Sequence, residues 1–200
     1  MGDPALKNDR TCTYGDYKTW PEDERWELID GEAWDMSPAP GRLHQQYVME
    51  ISRQIANFLE GHTCQVFAAP FDVLLPDSPG QEEDTVTTVV QPDISVICDR
   101  SKLNDRGCTG APDWIIEILS PGTMRKDLSV KFELYRRHGV KEYWVVDPAN
   151  RCLLVYVLDT EDLYPEALPI CQKDAVVASK VVEGLSVELG RVFGAENRKP

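Results

Sequence analysis

The residues of this chain that could do chemistry begin with two carboxylates in apolar surroundings. Asp93 follows Gln91-Pro92, and 24 residues later Glu117 stands inside the run Trp114-Ile115-Ile116-Glu117-Ile118-Leu119. Both segments read as buried strands. A buried carboxylate without a partner is costly, so proteins neutralise it, pair it or give it a metal. Hard cations such as Mg²⁺ take one or two carboxylates together with waters and phosphate oxygens, so Asp93 and Glu117 predict a divalent-cation site suited to phosphoryl chemistry. Side chains alternate along a strand, which puts Glu117 on the face of Ile115 and Leu119 and sends Ile116 and Ile118 to the other. The backbone carbonyl of Ile118 then supplies a third oxygen ligand. Pro92 removes a backbone donor, which suits the start of a strand or a bulge that aims Asp93 into a cleft.

A lysine joins them. Leu128, Lys131, Phe132 and Tyr135 occupy the i, i+3, i+4 and i+7 positions of one helical face, so Lys131 sits in an apolar stripe. It either snorkels to solvent or reaches the carboxylates, where an ammonium orients an attacking water and offsets charge in the transition state. Arg125 and Lys126 are weaker candidates for phosphate contact. On an earlier helix, His44 reads most simply as a satisfied core histidine. Glu50, at that helix's edge, either assists the metal or faces solvent. Asp72 is an accessory strand acid, and His62 and His138, near helix ends, need no functional account.

The elements that must position these groups follow from periodicity and turn chemistry. Arg25 to Met36 reads as a hairpin about Asp30-Gly31, ended by Ser37-Pro38-Ala39-Pro40-Gly41. His44, Tyr47, Val48, Ile51, Ile55, Phe58 and Leu59 share a helical face, and Gly61 closes that helix. Strands are expected over Cys64 to Leu75, Val89 to Cys98 and Trp114 to Leu119, with the acidic stretch Pro76 to Thr88 as an exposed, mobile loop. Ser120-Pro121-Gly122-Thr123 leads to a second helix, about Lys126 to His138. A hairpin of Glu142 to Val146 and Cys152 to Leu158 follows, with weaker strands at Ala175 to Val182 and Leu185 to Leu189. The order predicts an α/β fold: a mixed central sheet flanked by helices, preceded by an N-terminal β-hairpin. The expected organisation is one domain over residues 1–200, with a core at about 15–160 and an irregular C-terminal extension at 161–200.

Composition limits the function classes. With 42% hydrophobic residues and five tryptophans, the chain has the material for an ordinary core. No apolar run approaches the ~18 residues that cross a bilayer, and Met1 to Thr13 lacks the pattern of a signal peptide, so a cytoplasmic protein without membrane contact is expected. Cys12, Cys64, Cys98, Cys108, Cys152 and Cys171 have no zinc-type spacing. Cys64, Cys98 and Cys152 fall in strand-like segments and read as small apolar residues in a reducing compartment, without disulfides. A net charge of −13 argues against broad, sequence-independent binding of nucleic acid and leaves a local basic patch at Arg125, Lys126, Arg136 and Arg137.

Pro92-Asp93 followed by Glu117-Ile118-Leu119 resembles the PD-(D/E)XK nuclease signature, except that Leu119 stands where the signature has lysine. Lys131 is suitably placed as a lysine moved to the following helix. More closely, Glu27-Leu28-Ile29-Asp30-Gly31-Glu32, Ser37-Pro38-Ala39-Pro40, His44, Val90-Gln91-Pro92-Asp93-Ile94, Glu117-Ile118-Leu119-Ser120-Pro121, Lys131-Phe132-Glu133-Leu134-Tyr135 and Glu142-Tyr143-Trp144-Val145-Val146-Asp147-Pro148 resemble the Uma-type restriction endonucleases over about residues 15–160. The resemblance implies a restriction-endonuclease-like fold, a Mg²⁺ site that also accepts Mn²⁺, DNA as substrate and a homodimer as an assembly to test. On it, Asp93, Glu117 and the Ile118 carbonyl bind metal, Lys131 positions water and Glu50 assists. Two rivals stay open: a catalytically silent nuclease-fold binding protein, and a metal-dependent hydrolase of a small phosphoester.

Overall fold

The computed structural model describes residues 11–21, 23–36, 40–122, 124–172 and 174–194. The expected hairpin end at Ser37-Pro38-Ala39 and the residue Thr123 lie outside them. A short helix α1 (Tyr14–Tyr17) precedes the hairpin β1 (Trp26–Ile29) and β2 (Glu32–Asp35). Its turn uses Asp30 and Gly31 at φ 53° and 80°, the left-handed pair that matches the twist of a two-residue hairpin. Helix α2 (Arg42–Leu59) buries Tyr47, Val48, Ile51, Ile55 and Leu59, as the periodicity predicts.

Two expected strands are each two strands. The first divides into β3 (Gln65–Ala68) and β4 (Asp72–Leu74), on either side of Pro70. The second divides into β5 (Val89–Val90) and β6 (Ile94–Ile97), on either side of Pro92. A proline cannot donate to a ladder, and at both places the chain leaves one sheet for another. The remaining elements are β7 (Gly107–Thr109), which was not anticipated, β8 (Trp114–Ile118), the helix α3 (Phe132–Arg137), β9 (Glu142–Asp147), β10 (Cys152–Val157), the hairpin β11 (Val176–Ala178) with β12 (Ser186–Glu188), and α4 (Leu189–Gly194).

One five-stranded sheet runs β2-β1-β5-β4-β7 and the other β10-β9-β8-β6-β3. The second is mixed: β8 pairs antiparallel to β6 and parallel to β9. Helix α2 packs on the face carrying Trp114, Ile116 and Ile118, together with Val187 and Phe193 from beyond residue 175, so the C-terminal segment contributes to the core. The opposite face, with Ile115, Leu119 and Tyr135, closes a second apolar cluster against Val73 and Val90 of the other sheet. The stretch expected as an exposed loop at Pro76 to Thr88 is anchored at its end, where Val86 and Thr88 are fully buried.

The cysteine expectation is overturned. Cys64 and Cys98 form a disulfide, and so do Cys152 and Cys171. Antiparallel pairing of Gln65 with Ile97 brings the residues just outside both strands together, a proximity that spacing along the chain does not reveal. Cys12 and Cys108 are buried and belong to neither disulfide. Among the described residues no helix is long and apolar enough to cross a membrane.

Candidate active site

The seam between the two sheets holds the site. Because Ile94 pairs with Ile116, Asp93 lies beside Glu117, and the two are joined reciprocally. The Asp93 backbone N–H donates to Glu117 Oε2 at 3.3 Å, and the Ile118 N–H donates to Asp93 Oδ2 at 2.8 Å. Asp93 is free to make this exchange because Pro92 ends the preceding ladder. Glu117 is buried, and its Oε1 accepts from Lys131 Nζ at 2.8 Å and from Tyr135 Oη at 2.7 Å.

Lys131 reaches Glu117 through a helix of unexpected geometry. Residues Lys126–Lys131 form a π-helical turn, wider than an α-turn, before α3 begins. The extra residue shifts the buried face: Asp127 and Lys131 point inward and Leu128 is 38% exposed, although the regular 3.6-residue period places Leu128 in the stripe. The snorkelling alternative for Lys131 therefore fails, since its side chain is only 3% exposed.

A second buried carboxylate completes the arrangement. Glu27 on β1 is fully buried, with Oε1 at 2.9 Å from Lys131 Nζ and Oε2 at 2.7 Å from Lys126 Nζ. It also accepts the backbone N–H of Gln91 at 2.8 Å. Lys131 thus bridges two carboxylates from different sheets. The sequence offered one signal for Glu27, its place beside Leu28 and Ile29, but hairpin residues commonly alternate in exposure and an acid there is ordinarily solvated.

Asp93, Glu117, Lys126 and Lys131 line a cavity of about 130 Å³ with His44, Arg25, Gln91 and Asp127, and Glu27 lies behind its lysines. His44 is not a core histidine: its Nε2 lies 3.0 Å from Asp93 Oδ2. Burial lowers its pKa, but the bond to Asp93 and the adjoining Glu117 and Ile118 carbonyl raise it on balance. Glu50 does not reach the cavity, because it lies on another part of α2 and bonds to Arg53 at 2.5 Å and Gln54 at 3.1 Å. Three of the four residues expected to form a basic patch are engaged with acids. Lys126 turns inward to Glu27, Arg136 pairs with Glu133 and Arg137 with Asp30. Asp72 accepts from Tyr17 and Gln91 in a neighbouring cleft.

Burial and neighbouring charges shift the two buried carboxyls in opposite directions. Burial pushes the Glu117 carboxyl up to about 8; Lys131 opposes this, while Asp127, Asp93 and Glu27 add to it. Burial also works against ionised Glu27, yet Lys131 and Lys126 hold it down at about 2. The lysines thus favour the ionised form of Glu27, whereas burial beside other acids disfavours that of Glu117. Among the described residues no group of three His, Cys, Asp or Glu side chains is arranged to hold a metal. Asp93, Glu117 and the backbone of Ile118 nonetheless line one cavity, so the donors it offers there are oxygens, the ligand type hard cations take.

Comparison with known proteins agrees with this architecture. A crystal structure of a putative nuclease belonging to DUF820 from Anabaena variabilis superposes with a TM-score of 0.71 at 22% identity, covering 91% of this chain and 97% of that one. The fold is accordingly restriction-endonuclease-like. The uncharacterized protein slr1290 of Synechocystis sp. is 25% identical over 138 residues, 68% of each chain. Residues 14–190 match the family described as Uma2, putative restriction endonuclease, and with that span covering most of its length the chain belongs to the Uma2 family.

Proposed function

We propose that the protein is a metal-dependent endonuclease that hydrolyses DNA phosphodiester bonds. The observation that carries this reading is the meeting of Asp93, Glu117 and Lys131 at one cavity, with Lys131 Nζ at 2.8 Å from Glu117 Oε1. Asp93, Glu117 and the Ile118 carbonyl would hold Mg²⁺ or Mn²⁺. When bound, the cation polarises a phosphoryl oxygen and acidifies a water ligand.

The chain's own residues do the rest. Two N–H groups of Lys131 point to Glu27 and Glu117, and the third is available to hold the attacking water or a non-bridging phosphate oxygen. Glu27 keeps that ammonium charged and aimed. His44 fixes the rotamer of Asp93 from the helix side. Lys126, at the cavity wall, is placed to exchange Glu27 for a phosphate oxygen.

The test is conversion of supercoiled plasmid to nicked and linear forms in Mg²⁺, with EDTA and Glu117→Gln as controls. Cleavage that needs metal and Glu117 supports the reading; cleavage indifferent to both overturns it. The small volume of the cavity, about 130 Å³, favours a small phosphoester as the second reading. Hydrolysis of nucleotide esters without cleavage of DNA would select it.

A further inference from the structure

Beside the carboxylate cavity lies a cleft of about 550 Å³ whose wall includes four aromatic side chains. Tyr14, Tyr17, Trp20 and Trp26 form a contiguous series, with centroids 5.9, 5.5 and 5.7 Å apart from one ring to the next. Tyr17, Trp20 and Trp26 are half-buried, so they present ring surface to solvent while packed on one another. The cleft and the cavity share Arg25 and Gln91 in their walls, and Arg25 Nη2 donates to Gln91 Oε1 at 3.1 Å. Gln91 is tied in turn to Tyr17 at 3.2 Å and to Asp72 at 2.9 Å. Arg25 and Gln91 thereby form a wall common to the aromatic cleft and the carboxylate cavity.

The cleft's charges come close to cancelling. Lys18, Arg25 and Arg106 line it, and so do Glu24 and Asp72. Glu24 accepts the Trp26 indole N–H at 2.8 Å, and Lys18 is paired with Asp84. On a chain of net charge −13, phosphate neutralisation is a weak source of affinity here. Base stacking on aromatic rings needs no net charge and tolerates any base sequence.

We propose that this cleft binds an unpaired nucleobase of single-stranded DNA and so presents the neighbouring phosphodiester to the carboxylate cavity. The inference deepens the nuclease reading and rests on it for the role of the cavity. Duplex DNA does not meet the requirement, because its base faces are covered by their neighbours.

The experiment compares, by fluorescence anisotropy with Ca²⁺ replacing Mg²⁺, a labelled single strand with a strand of equal length made of abasic nucleotides. Both carry the same phosphates. Each stacked base is worth roughly 5- to 150-fold in affinity, so the normal strand binds at least that much more tightly. Trp20→Ala shrinks the ratio of the two affinities, and Trp20→Phe restores most of it. Equal affinity of wild type for the two strands overturns the proposal without any variant, as does tighter binding of duplex than of single strand. Cleavage of DNA in Mg²⁺ without a base-dependent difference sinks the stacking cleft and spares the nuclease. A base-dependent difference without metal-dependent cleavage does the reverse.

Discussion

Glu27 and Lys131 meet at 2.9 Å although they come from the N-terminal hairpin and the π-helical turn, on opposite sides of the seam between the sheets. The pair is buried, and Lys131 and Lys126 favour the ionised form of the Glu27 carboxyl. Replacing Glu27 with Gln leaves two lysines short of a counter-charge. Loss of one partner from a buried ion pair typically costs 3–5 kcal/mol, so Glu27→Gln should lower the urea midpoint markedly at neutral pH. A midpoint within error of wild type would show that the pair is dispensable.

The same residue sets a pH dependence. Its carboxyl titrates near 2 when folded, against an ordinary value of 4.5, so between these values the unfolded chain binds more protons. The stability it contributes is therefore complete above pH 4.5 and is lost as the pH falls towards 2, by an amount on the order of 3 kcal/mol. Urea titrations across that window should slope downward with acid in wild type and less steeply in Glu27→Gln. Parallel curves would contradict the assignment.

Lys131→Met removes the ammonium and keeps the stem. Loss of a charged donor at a developing charge typically costs ~10²–10³ in turnover. Single-turnover cleavage should fall by that order while cation affinity, read by calorimetry, changes little. Unchanged cleavage would leave Lys131 a purely structural counter-ion.

Glu117→Gln should abolish Mg²⁺ binding and leave the fold standing, because Lys131 retains Glu27 at 2.9 Å. Isothermal calorimetry with Mg²⁺, alongside circular dichroism, checks both halves. Unaltered affinity would remove Glu117 from the cation site.

The Cys64–Cys98 disulfide closes a loop of 34 residues, which by chain entropy stabilises the fold by about 3–4 kcal/mol. Cys64→Ala with Cys98→Ala should show that loss, and wild type in reductant, which also opens Cys152–Cys171, should lose at least as much. Indifference to reductant would place the stabilisation elsewhere.

What the sequence determined by itself is local or depends on a strict period. The Asp30-Gly31 hairpin, the buried face of α2 and the direction of Glu117 relative to Ile116 all follow from turn chemistry or alternation, so they can be derived without knowing the neighbours. The Asp93–Glu117 pair was legible for a related reason: a buried acid is costly wherever it occurs. That reasoning is incomplete, since Glu142 is equally buried in an apolar strand and is satisfied by Trp144, Ser179, Lys180 and Val181, away from the cavity. Only the tertiary structure decided which acids meet. The breaks at Pro70 and Pro92 send each expected strand into two sheets, the π-helical turn replaces Leu128 with Asp127 on the buried face beside Lys131, and Glu27, His44, Lys126 and the two disulfides acquire their partners from distant segments. These outcomes depend on how sheets pair and pack, and a side chain's partner across such a seam has no signature in the residues beside it along the chain.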